Sequence, residues 1–434
     1  MKPSDIDLSV HGNPPLLSAR ARTLLVALAV VVSAALRLWN LSIDLGPARY
    51  FDERYSFANV RSARNWGAFR PSNAYYLGAG WIPVALTLRA AEVALAPFDK
   101  DSWVRYDRER RRYPPLAYLI ARLYSATCGI LAIAGVAWLA RRLFGDVEAV
   151  LAAFFIAGSW AALSYSSQFK PDSALFCGTV ATFLALEATL RHPSLKRWSL
   201  VGLILGFCLG LKFNAAPLAI PVGLAILASG EFAPSSRRSA WKALAVTAAA
   251  ALTTFLVLNP HLSILWRDYN ALKVQYRGRG YDPPLRALEE GLAFFLDPTM
   301  LGWLVGGLAL VGLVVLGRWV LRHADVAVSR RITLGALVAF FPIYLVVYAF
   351  AAGHAKKNNF LLVLVPTAIA AAWLTARIVE RLPQRARRPL LLAIVLAAFC
   401  GRVLPLAFDV REARTSPIGR EAPAEPEGAP LDPP

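Results

Sequence analysis

Long apolar stretches separated by short polar loops occupy the chain from residue 23 to residue 406. A bilayer with a hydrocarbon core of roughly 30 Å is crossed by a helix of about 20 apolar residues. In windows of that length the sequence predicts an all-α integral membrane protein with about eleven transmembrane helices. The predicted spans lie near residues 23–41, 115–139, 147–164, 173–190, 198–211, 215–229, 243–258, 299–317, 333–352, 359–376 and 389–406.

Two of these spans, 198–211 and 215–229, are short and are predicted to form a tight hairpin that turns at residues 212–214. Glycine recurs at every fourth position of the first arm, at Gly202, Gly206 and Gly210. Residues four apart lie on the same side of a helix. We therefore expect this arm to present a smooth surface on which another helix packs closely.

The segment 79–97 is apolar enough to span a membrane, but it carries Arg89 and Glu92. Short basic loops tend to be cytoplasmic. Five such loops lie at residues 141–142, 191–197, 237–242, 318–331 and 377–388. All five loops lie on the cytoplasmic side only if segment 79–97 does not cross the membrane fully. We therefore expect this segment to lie along the outer membrane surface or to re-enter the membrane from that side. The basic stretch 98–114 is then left outside.

This topology divides the chain into three parts. Residues 1–22 form a cytoplasmic segment, and residues 23–406 form a multi-span domain. The domain has a long first external loop, 42–114, with interfacial helices, and a late external loop, 259–298. The tail 407–434 is rich in Pro, Ala and Glu and is expected to be disordered. We expect a multi-pass protein of a bacterial inner or plasma membrane whose functional face is non-cytoplasmic.

Composition supports the membrane assignment and narrows the partners. The chain is 57% hydrophobic, which is too apolar for a soluble globular protein of 434 residues. Its net charge of +19 is spread over short clusters between apolar stretches, as in loops beside anionic lipids, so we expect membrane lipids and no nucleic acid as partners. The four cysteines lie inside apolar segments and indicate no disulfide or metal framework.

The acidic pair Asp52-Glu53 follows the first predicted span. Adjacent carboxylates at the mouth of a membrane helix are costly to desolvate, which favours a functional role. A partly shielded carboxylate can take a proton from a hydroxyl or amine as it attacks a sugar. The alternative is that Asp52 caps the start of a helix, since Asp favours that position. The local sequence supports both interpretations.

Other candidates fall on the same predicted face. Asp172 follows Pro171 at the start of a helix, where the helix dipole alone favours an acidic residue. Lys212, Lys356 and Lys357 lie at helix ends. An ammonium there can bind a lipid phosphate as a point charge, or reach the head-group level without any function.

The loop 259–298 and the segment before the penultimate span supply further candidates: His261, Gln275 and His354. Aromatics beside polar groups in this loop can stack on sugar rings, or mark the membrane interface. Neither histidine has a second histidine at metal-ligand spacing, so a protein-built zinc site is not expected. A divalent cation held by Asp52, Glu53, Asp172 and a substrate phosphate is left open as a cofactor. The sequence has no phosphate-cradling glycine-rich loop of the nucleotide-binding kinds.

The order of several short motifs resembles the membrane glycosyltransferases of the protein O-mannosyltransferase and aminoarabinose-transferase type. The matching segments, within residues 20–380, are Phe51-Asp52-Glu53, Tyr113-Pro114-Pro115-Leu116, 122–126, 139–145, 165–172, 210–214 and 356–366. The late motif reads Lys357-Asn358-Asn359-Phe360 where relatives often show Arg-Tyr. The resemblance implies a C-type glycosyltransferase fold and a polyprenyl-phosphate sugar as the donor.

By the same resemblance, Asp52 is the catalytic base with Glu53 beside it, and Asp172 is the acidic residue of the second external loop. Lys212, Lys356 and Lys357 are candidates for binding the carrier phosphate. The implied enzyme transfers a sugar to an envelope acceptor (lipid, glycan or protein) with inversion. Two other functions are weighed: a lipid-linked glycan transporter, which predicts interrupted helices and polar groups near mid-membrane, and a non-catalytic transferase-like subunit of an envelope assembly complex.

Overall fold

A computed structural model describes residues 18–41, 51–66, 77–107, 113–231, 237–260, 283–297, 300–323, 326–352 and 357–398. Long helices account for most of this part of the chain. The first ten are α1 (Ala19–Leu41), α2 (Phe51–Trp66), α3 (Gly78–Leu95), α4 (Pro115–Leu143), α5 (Asp146–Ala157), α6 (Trp160–Ser166), α7 (Pro171–Arg191), α8 (Leu195–Leu211), α9 (Ala219–Glu231) and α10 (Arg237–Leu258). They are followed by α11 (Pro284–Leu296), α12 (Gly302–Arg322), α13 (Val328–Ala352), α14 (Leu364–Glu380) and α15 (384–398).

The prediction of an all-α multi-pass membrane protein is confirmed. Within the described ranges, nine helices are long and apolar enough to cross a membrane, or up to ten if the bent pair α5 and α6 counts as one span. The nine include Gly78–Phe98, which was not among the predicted spans, and they leave out three that were: the broken 147–164, the 17-residue α8 and the last span, 389–406. The last predicted span, 389–406, begins earlier, at residue 384, and residues beyond 398 lie outside the described part.

The predicted span 147–164 is broken into two helices. α5 and α6 are bent by 63° at Gly158-Ser159. The hydroxyl of Ser159 accepts a hydrogen bond from the backbone N–H of Ala162 and so caps the new helix. At Gly158 the backbone of α15 approaches so closely that a Cβ would lie 2.5 Å from the carbonyl oxygen of Ala398. The sequence pattern missed this break because the apolar composition continues through it.

The glycine-lined surface of α8 packs closely against another helix, as predicted. A Cβ at Gly202 or Gly206 would collide with the backbone carbonyl of Thr247 or Ala251, so α8 and α10 touch through their main chains. The predicted tight hairpin is looser than expected. Residues 213–218 form a 3-10 helix after Lys212, and α9 then packs mainly against α10 and α13.

Helices α2 and α3 form a small apolar cluster of their own beside the main core. Buried side chains of α3 meet α2, the first turns of α4 and the turn before α7: Trp81, Val84 and Leu88 pack with Phe57, Val60, Tyr118 and Phe169. The start of α3 touches the start of α7, where a Cβ at Gly80 would lie 3.1 Å from Cβ of Pro171. Gly78–Phe98 is also long and apolar enough to cross a membrane. Its position along the outer surface therefore stays a prediction.

Candidate active site

Glu53 of α2 is fully buried and is held by Arg122 of α4. Its Oε1 accepts a hydrogen bond of 3.0 Å from Nε of Arg122, and its Oε2 accepts one of 2.9 Å from Nη2. The same Oε1 accepts a bond of 2.8 Å from the backbone N–H of Phe169. A buried carboxylate is tolerated when its charge is paired and its lone pairs are satisfied, and both conditions hold here.

Aromatic rings close this ion pair off from water. Phe57 packs against Tyr118 with ring centroids 4.5 Å apart, and against Phe169 at 5.2 Å. The guanidinium of Arg122 lies over the Tyr118 ring at 5.9 Å. A low local dielectric strengthens the pair, and it also makes the loss of either partner costly. The contact therefore fixes the start of α2 against α4 and the 167–172 turn.

Asp172 stands in the first turn of α7 and is also fully buried. Pro171 occupies the first helical position, where its missing N–H and fixed φ suit a helix start. Nζ of Lys212, which follows the last residue of α8, lies 2.9 Å from Oδ1 of Asp172. The helix-dipole position weighed as the alternative for Asp172 is thus combined with a specific ion pair to the lysine predicted to bind phosphate. The catalytic role of Asp172 stays a prediction.

Lys212 extends the network to a fourth segment of the chain. Its Nζ donates to Oδ1 of Asn359 at 2.9 Å, and Nδ2 of Asn359 donates to the hydroxyl of Tyr348 at 2.6 Å. The hydroxyl of Tyr344, one turn earlier on α13, donates to the carbonyl of Asn359 at 2.5 Å. The network joins the starts of α7 and of the 3-10 helix Lys357–Val363 to the turn after α8 and to α13.

The two ion pairs are adjacent because they share one short turn. Phe169 binds Glu53 and Asp172 binds Lys212, with only Lys170 and Pro171 between them. We call this region, where the start of α2, residues 167–172, Lys212 and Asn359 meet, the site end of the bundle. The backbone of Asp52 lies in the first turn of α2, next to Glu53.

Of the predicted site residues, Glu53, Asp172 and Lys212 are brought together. The side chain of Asp52 is outside the described part of the structure, and so is that of Lys357, whose backbone begins a 3-10 helix. Four further predicted residues lie outside the described residues altogether: His261, Gln275, His354 and Lys356.

Four side chains of these contacts were missed as site candidates: Arg122, Asn359, Tyr344 and Tyr348. Arg122 and Asn359 both fall in the short motifs that carried the family resemblance. A buried arginine inside an apolar span is a recognisable signal, since it needs a partner. Tyr348 gives no such signal, because a tyrosine near the end of a membrane helix is typical of the interface.

The cation site left open from the sequence includes Asp52, whose side chain lies outside the described part of the structure. Among the described residues, no three His, Cys, Asp or Glu side chains gather in a group that could hold a metal ion. Two carboxylates of the expected ligand set are engaged by cations, Glu53 by Arg122 and Asp172 by Lys212.

Comparisons with known proteins agree with this architecture. Residues 118–263, about a third of the chain, match the family model described as dolichyl-phosphate-mannose-protein mannosyltransferase. The matched range includes Arg122, Asp172 and Lys212. A search of the curated proteins finds no match to the sequence.

Solved structures share the fold at low identity. The oligosaccharyltransferase of Archaeoglobus fulgidus, tethered with an acceptor peptide containing the NVT sequon, has a TM-score of 0.56 and 15% identity, over 91% of this chain and 55% of that one. The oligosaccharyltransferase AglB from Archaeoglobus fulgidus, in complex with an inhibitory peptide and a dolichol-phosphate, has a TM-score of 0.55 and 14% identity, over 92% of this chain and 58% of that one.

ArnT from Cupriavidus metallidurans bound to undecaprenyl phosphate gives a TM-score of 0.53 and 15% identity, over 92% of this chain and 73% of that one. Against the archaeal oligosaccharyltransferase, this chain spans little more than half of the length. At identities of 14–15%, the similarity to these structures concerns the fold.

Proposed function

Because the chain has the fold of the membrane glycosyltransferases that use lipid-phosphate sugars, we propose that it moves a sugar from a polyprenyl-phosphate carrier to an envelope acceptor, with inversion at the anomeric carbon. The neighbours of known structure include one bound to dolichol-phosphate and one bound to undecaprenyl phosphate. We therefore propose a polyprenyl-phosphate sugar as the donor of this chain, and a lipid, glycan or protein of the envelope as its acceptor.

One observation carries this function: Glu53 fastens the start of α2 to the turn that leads into Asp172. A catalytic group contributes only when it is held within hydrogen-bonding reach of the reacting atoms. The pair to Arg122 and the N–H of Phe169 fix Glu53, so the neighbouring Asp52 is held on a positioned backbone. In this scheme Glu53 is a positioning residue, because its oxygens are bound by protein groups.

In the proposed reaction, the carboxylate of Asp52 takes the proton of the acceptor hydroxyl or amine. The acceptor atom attacks the anomeric carbon from the side opposite the carrier, and the bond between that carbon and the phosphate oxygen breaks. The polyprenyl phosphate leaves with the electron pair. Positive charge fixed near the leaving oxygen lowers the barrier more than any other single contribution.

Lys212 is the described side chain best placed to supply this charge. In its pair with Asp172, the carboxylate is 0% exposed whereas the lysine side chain retains 17% exposure. The lysine is therefore the more accessible partner of the pair, and Asp172 and Asn359 hold its ammonium in position. Lys356, Lys357 and His354, just before Asn359 in the sequence, are proposed to complete the phosphate site. His261 and Gln275 are proposed for the sugar or the acceptor.

The experiment is transfer of a labelled sugar from a polyprenyl-phosphate donor by the purified protein. Asp52→Asn is expected to lower the rate by about 10²- to 10⁴-fold, the usual contribution of general-base catalysis. Asp99→Asn is the matched control, because Asp99 is exposed and has a left-handed φ of 56° that asparagine also accepts. If Asp52→Asn folds normally and transfers sugar at the wild-type rate, Asp52 is not the base.

A lipid-linked glycan transporter is the second candidate, favoured by one observation. The broken pair α5 and α6 resembles the interrupted helices of transporters, and the buried Arg37 of α1 donates to the carbonyl of Ala162 in α6 at 3.1 Å. Reconstituted protein separates the two functions. Movement of the labelled lipid across the bilayer without any labelled acceptor would support transport, and labelled acceptor would support transfer.

A further inference from the structure

A concave basic pocket lies at the opposite end of the bundle from the candidate site. It has a volume of about 450 Å³ and is lined by Trp138, Arg141 and Arg142 of α4 and Arg191 of α7. Asp172 and Arg191 stand at the two ends of the 21-residue α7. At 1.5 Å per residue the pocket is about 30 Å from the candidate site. We call this region the arginine end.

The buried carboxylate of Glu187 organises one wall of the pocket. It is 1% exposed and pairs with both Arg142, at 2.6 Å, and Arg191. The guanidinium of Arg191 also donates to the backbone carbonyl of Arg142 at 3.2 Å. One carboxylate therefore holds two guanidiniums in fixed positions, and the pocket wall keeps a positive charge.

Asp146 likewise pairs with two arginines, one of which, Arg141, lines the pocket. Its Oδ1 lies 2.8 Å from Nε of Arg141, and its Oδ2 lies 2.9 Å from Nη1 of Arg22. The described pairs thus contain four arginines and two carboxylates. Guanidiniums that are held in place recognise phosphate oxygens with little loss of side-chain entropy, so the arrangement fits a singly charged phosphodiester.

An apolar stripe on α4 leads along the helix to the pocket. Trp138, in the pocket wall, is 57% exposed, and Leu131 is 56% exposed. The two residues are seven positions apart and share one side of the helix. A free phosphate has no group to place on this stripe, whereas the acyl chain of a phospholipid does.

We propose that this pocket binds the phosphate of an anionic phospholipid, with an acyl chain against Leu131 and Trp138. The five basic loops predict that this end of the bundle is cytoplasmic, and basic pockets between membrane helices on that side bind anionic head groups. The site is separate from the proposed donor site and does not depend on the proposed reaction.

The test uses the full-length protein in detergent with three probes: phosphatidylglycerol, phosphatidylcholine and inorganic phosphate. Phosphatidylglycerol is expected to raise the melting temperature and to stay bound in native mass spectrometry, and the other two are not. Equal effects of phosphatidylcholine would show that the pocket does not select the charge. Equal effects of inorganic phosphate would show that the ligand is not a lipid. Either result overturns the proposal.

Two variants locate the binding. Arg141→Gln removes one guanidinium while Asp146 keeps Arg22, so the fold should persist, and the apparent affinity for phosphatidylglycerol should fall by at least about tenfold. Trp138→Ala should also weaken phosphatidylglycerol binding, because it removes the apolar contact.

The matched control is Arg322→Gln, in the last turn of α12. Arg322 is exposed and lies at the arginine end of the bundle. Trp319, one turn before it, contacts Trp373, and Trp373 contacts Phe144, which follows the arginines at the end of α4. The control should bind phosphatidylglycerol like the wild type. If it loses as much affinity as Arg141→Gln, the effect is general surface charge and the pocket is not a specific site.

Discussion

At the site end, Glu53 is paired with Arg122 and Asp172 with Lys212, and both carboxylates are fully buried. Each pair joins segments far apart in the sequence, by 69 and 40 positions. Burial of such pairs is expensive and rarely increases stability over apolar packing. Their presence at one point of the bundle is therefore better explained by function than by stability.

At the arginine end, by contrast, carboxylates are shared between two arginines, and the guanidiniums are partly exposed. Glu187 lies between Arg142 and Arg191, whose side chains are 32% and 41% exposed. At the site end the cations are largely buried together with their carboxylates, Arg122 at 1% and Lys212 at 17% exposure, whereas at the arginine end the carboxylate is buried and the cations are more exposed. Pairs with a partly exposed cation contribute less to stability, because water screens them.

The largest expected effect is that of Arg122→Ala. It leaves Glu53 buried beside aromatic rings without its cation, which should cost about 3–5 kcal/mol of unfolding free energy. We expect a large drop in the melting temperature of the detergent-solubilised protein and loss of sugar transfer. A variant that melts like the wild type would mean that Glu53 reaches water or another partner.

A double variant separates stability from function at this pair. Replacing both partners, Glu53→Met with Arg122→Met, keeps the volume and removes the buried charges, so much of the lost stability should return. Transfer should stay low, because the bond from Phe169 N–H to Glu53 is lost and α2 is no longer fixed at the turn. If transfer returns together with stability, Glu53 has no positioning role.

Lys212→Met is expected to have the next largest effect. Asp172 would be left without this ammonium, which should lower the free energy of unfolding by about 3 kcal/mol. This is the low end of the range for a broken buried pair, because the Lys212 side chain is 17% exposed. If Lys212 also binds the carrier phosphate, Lys212→Arg should preserve most of the stability yet raise the KM for the donor, because the planar guanidinium places its charge differently. An unchanged KM would assign Lys212 a structural role alone.

Helix positions were largely predictable, because about 20 apolar residues leave few alternatives in a membrane. The close packing of Gly202 and Gly206 on α10 also followed from the sequence, since spacing by four determines a helix surface. The break at Gly158-Ser159 did not follow, because the apolar composition continues through it and the close approach of Ala398 to Gly158 joins positions far apart in the chain.

The candidate site was predictable residue by residue but not as a network. The sequence allows Asp172 and Lys212 each to be an ordinary charged residue at a helix end. Only the fold shows that their charged atoms lie 2.9 Å apart. Asn359 belongs to the late motif, and it contacts Lys212 through its side-chain oxygen. This contact joins positions 147 residues apart, so the sequence of one segment cannot reveal it.

Substitutions of Asn359 test how far the site-end network extends. Asn359→Ala removes the acceptor for Lys212 and the donor to Tyr348, and should cost about 1–3 kcal/mol. Tyr348→Phe removes the second of these bonds and keeps the first, and about 1 kcal/mol is expected. Melting temperatures measured in the same detergent should therefore fall in that order. Equal values for Asn359→Ala and the wild type would exclude Asn359 from the network.

The smallest loss of stability is expected at the arginine end, for Arg191→Met. Like Lys212→Met, this substitution takes a cationic partner away from a buried carboxylate, here Glu187. Glu187 keeps Arg142 at 2.6 Å, so the carboxylate is not left uncompensated and the cost should be within about 1 kcal/mol. Sugar transfer should be unchanged, since Arg191 is at the far end of α7 from Asp172. If Arg191→Met lost as much stability as Lys212→Met, Arg142 alone would not compensate the charge of Glu187. The two ends of the bundle would then not differ in how strongly their carboxylates depend on a single cation.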